Sequence, residues 1–243
     1  MKNSKPSLHT CFSPALLHLY DVSHAIVVII DVLRATSTIC TALDNGAKCV
    51  IPVDSVAKCI ELSRQIGGIS AGERDGKIAE GLEHGNSPFE YPPEFVKGKT
   101  LVLTTTNGTK LLHIALEKGA GHIVTGSFPN LSAVCQYLMS QQQPVILGCA
   151  AWKDRINIED LLFAGAVINK VKKNFEINCD SSRIAETLYA NAKKDLFGFM
   201  KSKNASHYRR LSGYGLEKDI RYCLTSDAAD VLPFYKDGKL ILR

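Results

Sequence analysis

Short apolar runs, several ending on a polar or charged residue, alternate along the chain with longer stretches whose apolar positions recur every three or four residues. The run at 25–30 is rich in Val and Ile and stops at Asp31, the pattern of a parallel strand buried on both faces. Residues 36–43 have helical spacing and stop at Asn45-Gly46, a C-terminal signal. The same logic predicts strands at 49–53, 69–71, 100–105, 122–125 and 144–149, and helices at 56–66, 109–118, 131–139, 159–173 and 181–196. A long polar loop fills 72–93, and the C-terminal fifth is mixed, with a helix near 216–224 and short strands around Leu232 and Leu240. Strands alternating with helices predict an α/β fold with helices on both faces of the sheet.

The chain also resembles itself. Ala42-Leu43-Asp44-Asn45-Gly46-Ala47 aligns with Ala115-Leu116-Glu117-Lys118-Gly119-Ala120, an offset of 115 − 42 = 73. That offset also aligns Thr36 with Thr109 and Val50 with Ile123. Two related β-α-β units are therefore expected, near 25–53 and 100–125, with two equivalent loops at 31–35 and 104–108. Any two β-α-β units share part of this look.

Composition narrows the class. The 243 residues carry 29 Lys and Arg against 24 Asp and Glu, a net charge of +5, with 45% hydrophobic and 22% charged residues. This excludes a disordered chain and suits one large domain over 1–243. The eight Cys form no C-x-x-C, so they offer no zinc knuckle or redox pair, and reduced thiols in the cytoplasm are expected. No apolar region follows Lys2 and Lys5, and the longest purely apolar run, 25–30, falls far short of the ~20 residues of a membrane helix. No Lys/Arg block points to nucleic acid. The small positive excess suits a small anionic substrate.

Ligands of open α/β sheets bind beyond the carboxyl ends of strands, and here those ends are polar. They supply carboxylates for a hard cation, Asp31, Glu73, Glu159 and Asp160, and Mg²⁺ needs only one or two of them. They supply cations for anions: Arg34, Arg74, Lys110 and Arg155. Thr36-Ser37 and Asn107-Gly108-Thr109 add hydroxyls and N–H groups at helix N-termini, where phosphate binds readily. The combination points to a Mg²⁺-dependent enzyme acting on a small phosphate ester. Each residue also has an ordinary structural use, as a turn, a cap or a solvated charge.

Walker A, G-x-G-x-x-G, H-E-x-x-H and G-x-S-x-G motifs are absent. One rival stands: Cys149 to Arg155 has the Cys-x5-Arg spacing of cysteine phosphatases, although Gly148 and Ile156 depart from that pattern. A buried Cys is the plainer interpretation. His84 and His207 are further acid–base candidates. A non-catalytic binder of small phosphorylated acids is the alternative from another class.

The strand ends resemble those of the 2-phosphosulfolactate phosphatases, Mg²⁺-dependent hydrolases of the coenzyme M pathway. The similar segments are Ile30-Asp31-Val32-Leu33-Arg34-Ala35-Thr36-Ser37-Thr38, Gly72-Glu73-Arg74, Gly85-Asn86-Ser87-Pro88, Thr104-Thr105-Thr106-Asn107-Gly108-Thr109, and Glu159-Asp160 followed by Ala164-Gly165. The resemblance runs in order from about Ala25 to Asp219-Ile220 and Pro233. It implies a three-layer α/β/α sandwich with a mixed, largely parallel sheet, a homodimer, and hydrolysis of 2-phospho-3-sulfolactate to 3-sulfolactate and phosphate. Asp31, Arg34, Glu73, Arg74, Asn86, Ser87, Thr106, Asn107, Thr109, Glu159 and Asp160 fall on its motif positions. On physical grounds Asp31, Glu73 and Asp160 are expected to hold Mg²⁺. Arg34, Arg74, Asn86, Ser87, Thr106, Asn107, Gly108, Thr109 and Lys110 are expected to bind the substrate, and Glu159 to act as general base beside catalytic Asp31, Glu73 and Arg34. Two departures stand out: His84 replaces an apolar residue, and Cys149-Ala150-Ala151 replaces Cys-Ala-Gly. Trp152-Lys153-Asp154-Arg155 has no assigned role.

Overall fold

The structure is a computed structural model that describes residues 5–242. Lys2, part of the N-terminal expectation above, lies outside them. Ten strands form one sheet: β1 (Leu8–Cys11), β2 (Ile26–Ile30), β3 (Cys49–Pro52), β4 (Ile69–Arg74), β5 (Lys77–Ile78), β6 (Thr100–Thr104), β7 (His122–Gly126), β8 (Val145–Cys149), β9 (Pro233–Lys236) and β10 (Lys239–Leu242). The helices are α1 (Ala35–Asp44), α2 (Val56–Ile66), α3 (Pro93–Val96), α4 (Gly108–Glu117), α5 (Leu131–Met139), α6 (Ile158–Val171), α7 (Asp180–Ala192), α8 (Leu196–Ser202), α9 (Ser206–Gly213) and α10 (Glu217–Cys223).

The strand order is β1-β8-β2-β7-β9-β10-β3-β6-β4-β5. Two parallel blocks, β1-β8-β2-β7 and β3-β6-β4, are joined by the antiparallel hairpin β9–β10. Each step across that hairpin is antiparallel, so the two blocks run in opposite directions. The expected mixed, largely parallel α/β sheet is present.

Alternation along β2 explains the layers. Ile26, Val28 and Ile30 pack with α5 and α6 residues such as Val134, Leu162 and Phe163. Val27 and Ile29 face the other way, onto Leu111, Leu112 and Ala115 of α4. In the second block α1 contributes Ile39, Ala42 and Leu43 against Val50, Leu101 and Leu103, while Cys59 and Leu62 of α2 cover Val102. Each Val, Leu, Ile or Phe side chain fully buried in this way stabilises the fold by about 1.5–3 kcal/mol. Behind α6 lies α7. A Cβ on Gly165 would stand 2.1 Å from the Ala185 carbonyl oxygen, so only glycine lets these two helices close.

The 73-residue offset recurs in the helix bounds, because 108 − 35 = 73 and 117 − 44 = 73. Arg34 is the N-cap of α1, and Asn107 is that of α4. The two helices are exchanged between the blocks. Helix α1 leaves β2 of the first block and packs on the second; α4 leaves β6 of the second and packs on the first.

Five elements were not expected from the pattern: edge strands β1 and β5, and helices α3, α8 and α9. Helix α9 buries only Tyr208 and Leu211, too few to write an apolar stripe. The loop at 72–93 is partly ordered as β5 and a 3-10 turn at Pro88–Glu90, which Ser87 caps. No helix among the described residues is long and apolar enough to cross a membrane.

Candidate active site

The loop between β2 and α1 is buried from Asp31 to Arg34, and local hydrogen bonds lock it. The Asp31 carbonyl accepts the Thr36 N–H, the Asp31 N–H donates to Thr36 Oγ1, and Ser37 Oγ donates to the Val32 carbonyl. The Leu33–Arg34 peptide is cis. The loop carries Asp31 to a cleft lined also by Arg34, Glu73, Asn86, Thr106, Asn107, Trp152, His207 and Arg210. Burial lifts the Asp31 carboxyl from 3.8 to about 7; Glu73 and Glu159 add to the rise, while His207 and the Gly108 N–H oppose it. A Cβ on Gly108 would stand 2.9 Å from Asp31 Oδ2. Glycine is what allows the start of α4 to approach this carboxylate.

Glu73 reaches the cleft from β4 and accepts the N–H groups of Gly76 (2.8 Å) and Thr106 (2.9 Å). It thus ties the β4–β5 turn to the loop before α4. Arg34 lines the cleft but is already engaged. It pairs with buried Asp219 at 2.5 Å and donates to the Gly76 carbonyl at 3.1 Å.

Glu159 and Asp160 begin α6, and both are 1% exposed. The Asp160 oxygens accept the N–H groups of Val32 and Ala151 (3.0 and 3.2 Å). It joins the β2 and β8 loops and does not line the cleft. Burial, with Glu159 and Asp31 beside it, holds its carboxyl well above the usual carboxylate range. Glu159 sits behind His207, with Oε1 2.6 Å from the His207 Nδ1. The imidazole faces the cleft in the place expected for Glu159 itself.

Buried oxygens without a hydrogen-bond partner gather here. They include Asn86 Oδ1 and Thr106 Oγ1, on residues that line the cleft, and Glu159 Oε2 behind it. Orphaned buried acceptors call for a cation, a donor or a water. No group of three or more His, Cys, Asp or Glu among the described residues is arranged to hold a metal ion. The donor set nevertheless fits Mg²⁺, which takes one or two carboxylates with neutral oxygens and waters.

The remaining expected residues fall elsewhere. Arg74, Thr109 and Lys110 line a neighbouring groove on the far side of Thr106. Arg74 donates to the Glu73 carbonyl and Thr104 Oγ1, and Lys110 pairs with Asp154 at 2.7 Å. Thr109 caps the start of α4 through Thr105. Ser87 caps the 3-10 turn. His84 stacks near Phe95 and Tyr91, away from the cleft. Cys149 is 1% exposed, burial drives its thiol pKa well above 9.0, and neither it nor Arg155 lines the cleft. A buried, protonated thiol is no nucleophile, which removes the cysteine-phosphatase alternative.

Four contributors were missed or undervalued. Asp219 of α10 neutralises Arg34. From α9, His207 faces the acids and Arg210 lines the cleft. The unassigned Trp152 forms part of the wall, and the Arg210 guanidinium lies 3.9 Å from its ring centre. The Ser206-His207-Tyr208-Arg209-Arg210 run was the available signal: two arginines beside a histidine in a segment with little else to bury.

Residues 11–238 match the model of the 2-phosphosulpholactate phosphatase family. A protein of Caldanaerobacter subterraneus subsp. tengcongensis named a probable 2-phosphosulfolactate phosphatase is 41% identical over 224 residues, 90% of each chain. Proteins with the same name from Thermotoga petrophila (41% over 219 residues, 89% of this chain and 91% of that one) and Clostridium acetobutylicum (37% over 225, 90% and 93%) are also similar. A match over nearly the whole chain, with the motif residues gathered at one cleft, places this protein in the 2-phosphosulpholactate phosphatase family, a family of phosphoric monoester hydrolases.

Proposed function

We propose that the protein hydrolyses 2-phospho-3-sulfolactate to 3-sulfolactate and phosphate with the help of Mg²⁺. The observation that carries this is the acid cluster of the cleft. Asp31 and Glu73 line it, Glu159 stands just behind, and Asp31 is pushed up to about 7 by burial and these neighbours. His207 offsets part of this charge, and a bound cation would offset the rest. Asp31 and Glu73, with Asn86 Oδ1 and Thr106 Oγ1, would hold the ion. Bound there, Mg²⁺ supplies charge stabilisation for the transferring phosphoryl group.

The chain's own groups do the rest. The loop before α4 orients the phosphate with its polar groups at a helix N-terminus. His207, its Nδ1 held by Glu159, has Nε2 free to protonate the leaving C2 oxygen. Water oxygen bonds to phosphorus as the P–O bond to C2 breaks, and the proton that water releases restores His207. Glu159 orients His207 rather than taking the proton from water. Arg34, fixed by Asp219, sets the cleft wall.

Phosphate release from the purified protein on a panel of phosphocarboxylic acids tests this. Turnover of 2-phosphosulfolactate, abolished by EDTA and restored by Mg²⁺, is the expected result. Binding without phosphate release on the whole panel would leave a non-catalytic binder instead. The homodimer and the cytoplasmic location belong to the same proposal. Light scattering checks the first, and the eight free cysteines are compatible with the second.

A further inference from the structure

The proposed substrate carries three anionic groups, but the cations expected to meet them are mostly engaged. Arg34 is paired with Asp219 and the Gly76 carbonyl, Lys110 with Asp154, and Arg74 with the Glu73 carbonyl and Thr104. Among the described residues Arg210 alone of the cleft's cations makes no hydrogen bond or ion pair. It rests on the Trp152 ring 3.9 Å away and faces the charges of Glu159, Asp75 and Glu73 without pairing to any of them. We propose, on the basis of the phosphatase function above, that Arg210 on its Trp152 platform binds the substrate's sulfonate and so selects sulfonated 2-phospho acids.

The chemistry fits this group best. The reacting phosphate belongs at the Asp31 wall, where the acid cluster and the start of α4 converge. The sulfonate is two carbons removed from the ester oxygen and can reach another wall. It is a weakly hydrated anion, and guanidinium is a weakly hydrated cation whose planar fork keeps its donors while one face is stacked. Leu211 lines the cleft next to Arg210 and adds apolar contact.

The platform is held in place at a conformational cost. Ala151, Lys153 and Asp154 have φ of 58°, 50° and 61°, left-handed values that non-glycine residues rarely adopt. The turn is clamped by the Lys110–Asp154 pair, by the Lys153 N–H to Asn107 Oδ1 (3.3 Å), and by reciprocal backbone bonds between Trp152 and Arg155. Two residues expected to bind substrate, Asn107 and Lys110, therefore hold the platform. Strain kept by such ties is the mark of a surface prepared in advance for a ligand.

Trp152 is the chain's one tryptophan, so its fluorescence reports from the proposed site itself. The protein is titrated with 3-sulfolactate and with lactate, affinity being followed by calorimetry and location by emission. Steady-state kinetics are then measured on 2-phosphosulfolactate and on 2-phospholactate, which lacks the sulfonate. Saturable binding of 3-sulfolactate with altered Trp152 emission is expected, and none with lactate. Arg210→Met should weaken that binding at least about tenfold. It should lower kcat/KM on 2-phosphosulfolactate about thirtyfold, through KM, while changing 2-phospholactate less than about threefold. Arg210→Lys, which keeps the charge without the fork, should fall between them and covers the case of a poorly folded Met variant. Equal losses on both esters, or unchanged 3-sulfolactate affinity in the variants, overturn the proposal. If the wild type hydrolyses no ester yet binds 3-sulfolactate through Arg210, the phosphatase function fails and the sulfonate site stands. If it hydrolyses the ester but 3-sulfolactate leaves Trp152 unperturbed, the sulfonate site fails and the function stands.

Discussion

The loops before α1 and before α4 hold equivalent places, 73 residues apart, each carrying the chain from a strand end into a helix. The first is buried throughout and contains Asp31 and Arg34. The second is half open at Thr106 and Asn107 and contains no charge. Burying charge imposes requirements on the rest of the molecule. The first loop accordingly recruits Asp160 to its Val32 N–H, Asp219 to Arg34 and the Gly108 N–H to Asp31. The second draws in one carboxylate, Glu73 on its Thr106 N–H, and the Lys153 N–H on Asn107 Oδ1. Two equivalent places in the chain thus become reactive on one side and a donor rim on the other. What separates them is which charges the tertiary fold brings in.

The sharpest way to break this contrast is to make the first loop as neutral as the second. Asp31→Asn should cut turnover about a thousandfold, the several kcal/mol a charge-stabilising group supplies in the transition state. Circular dichroism should show the fold intact. The same variant has a thermodynamic signature. Between 3.8 and about 7 the folded Asp31 keeps a proton that the unfolded chain has released. Its contribution to stability is therefore full below about pH 4 and declines as pH rises to about 7. In EDTA, melting temperatures of wild type should fall over that window by more than those of Asp31→Asn. Equal slopes would place the perturbed carboxyl elsewhere.

Removing a recruited partner should be next in size. Asp219→Asn leaves the Arg34 guanidinium buried without its counter-charge, and should destabilise by about 3 kcal/mol, read as a shift in the urea midpoint. A shift below about 1 kcal/mol would mean that the loop tolerates its charge without α10. His207→Gln should leave the fold unchanged and lower kcat about a hundredfold with KM nearly constant, flattening the pH–rate profile. An unchanged profile would return the proton transfer to Glu159.

These partners also mark how far the sequence could be read. Every strand of the two parallel blocks except edge strand β1 showed in apolar runs, and α1 and α4 showed in their periodicity, because burial on both faces writes itself into consecutive side chains. Asp31, Glu73 and Asn86 could be placed at one cleft because each follows a strand or lies on a turn with a polar motif. The α9 contribution could not. That helix buries two side chains, so it leaves almost no periodic trace, and His207 and Arg210 acquire meaning only when α9 folds over Glu159 and Trp152. Lys110 was misplaced for the complementary reason. Its position at a helix N-terminus suggests phosphate, and only the fold shows Asp154 opposite it.

Lys110 gives the finest test of the contrast. If the second loop is a donor rim whose lysine holds the Trp152 turn, Lys110→Ala removes an exposed pair worth about 0.5 kcal/mol and should hardly alter stability. Its effect should appear instead in kcat/KM for 2-phosphosulfolactate, lowered about threefold to fivefold as the turn at Lys153 and Asp154 relaxes from its left-handed backbone. A phosphate ligand at this position would give a larger loss, about thirtyfold, on sulfonated and unsulfonated esters alike. Asp154→Ala separates the two cases. It breaks the clamp while freeing the lysine, so a clamp predicts the same small loss as Lys110→Ala, with the double variant no worse than either single one. A phosphate-binding lysine predicts that Asp154→Ala leaves activity intact or raises it. The two variants must then diverge, and the charge of the second loop would have to be counted with that of the first.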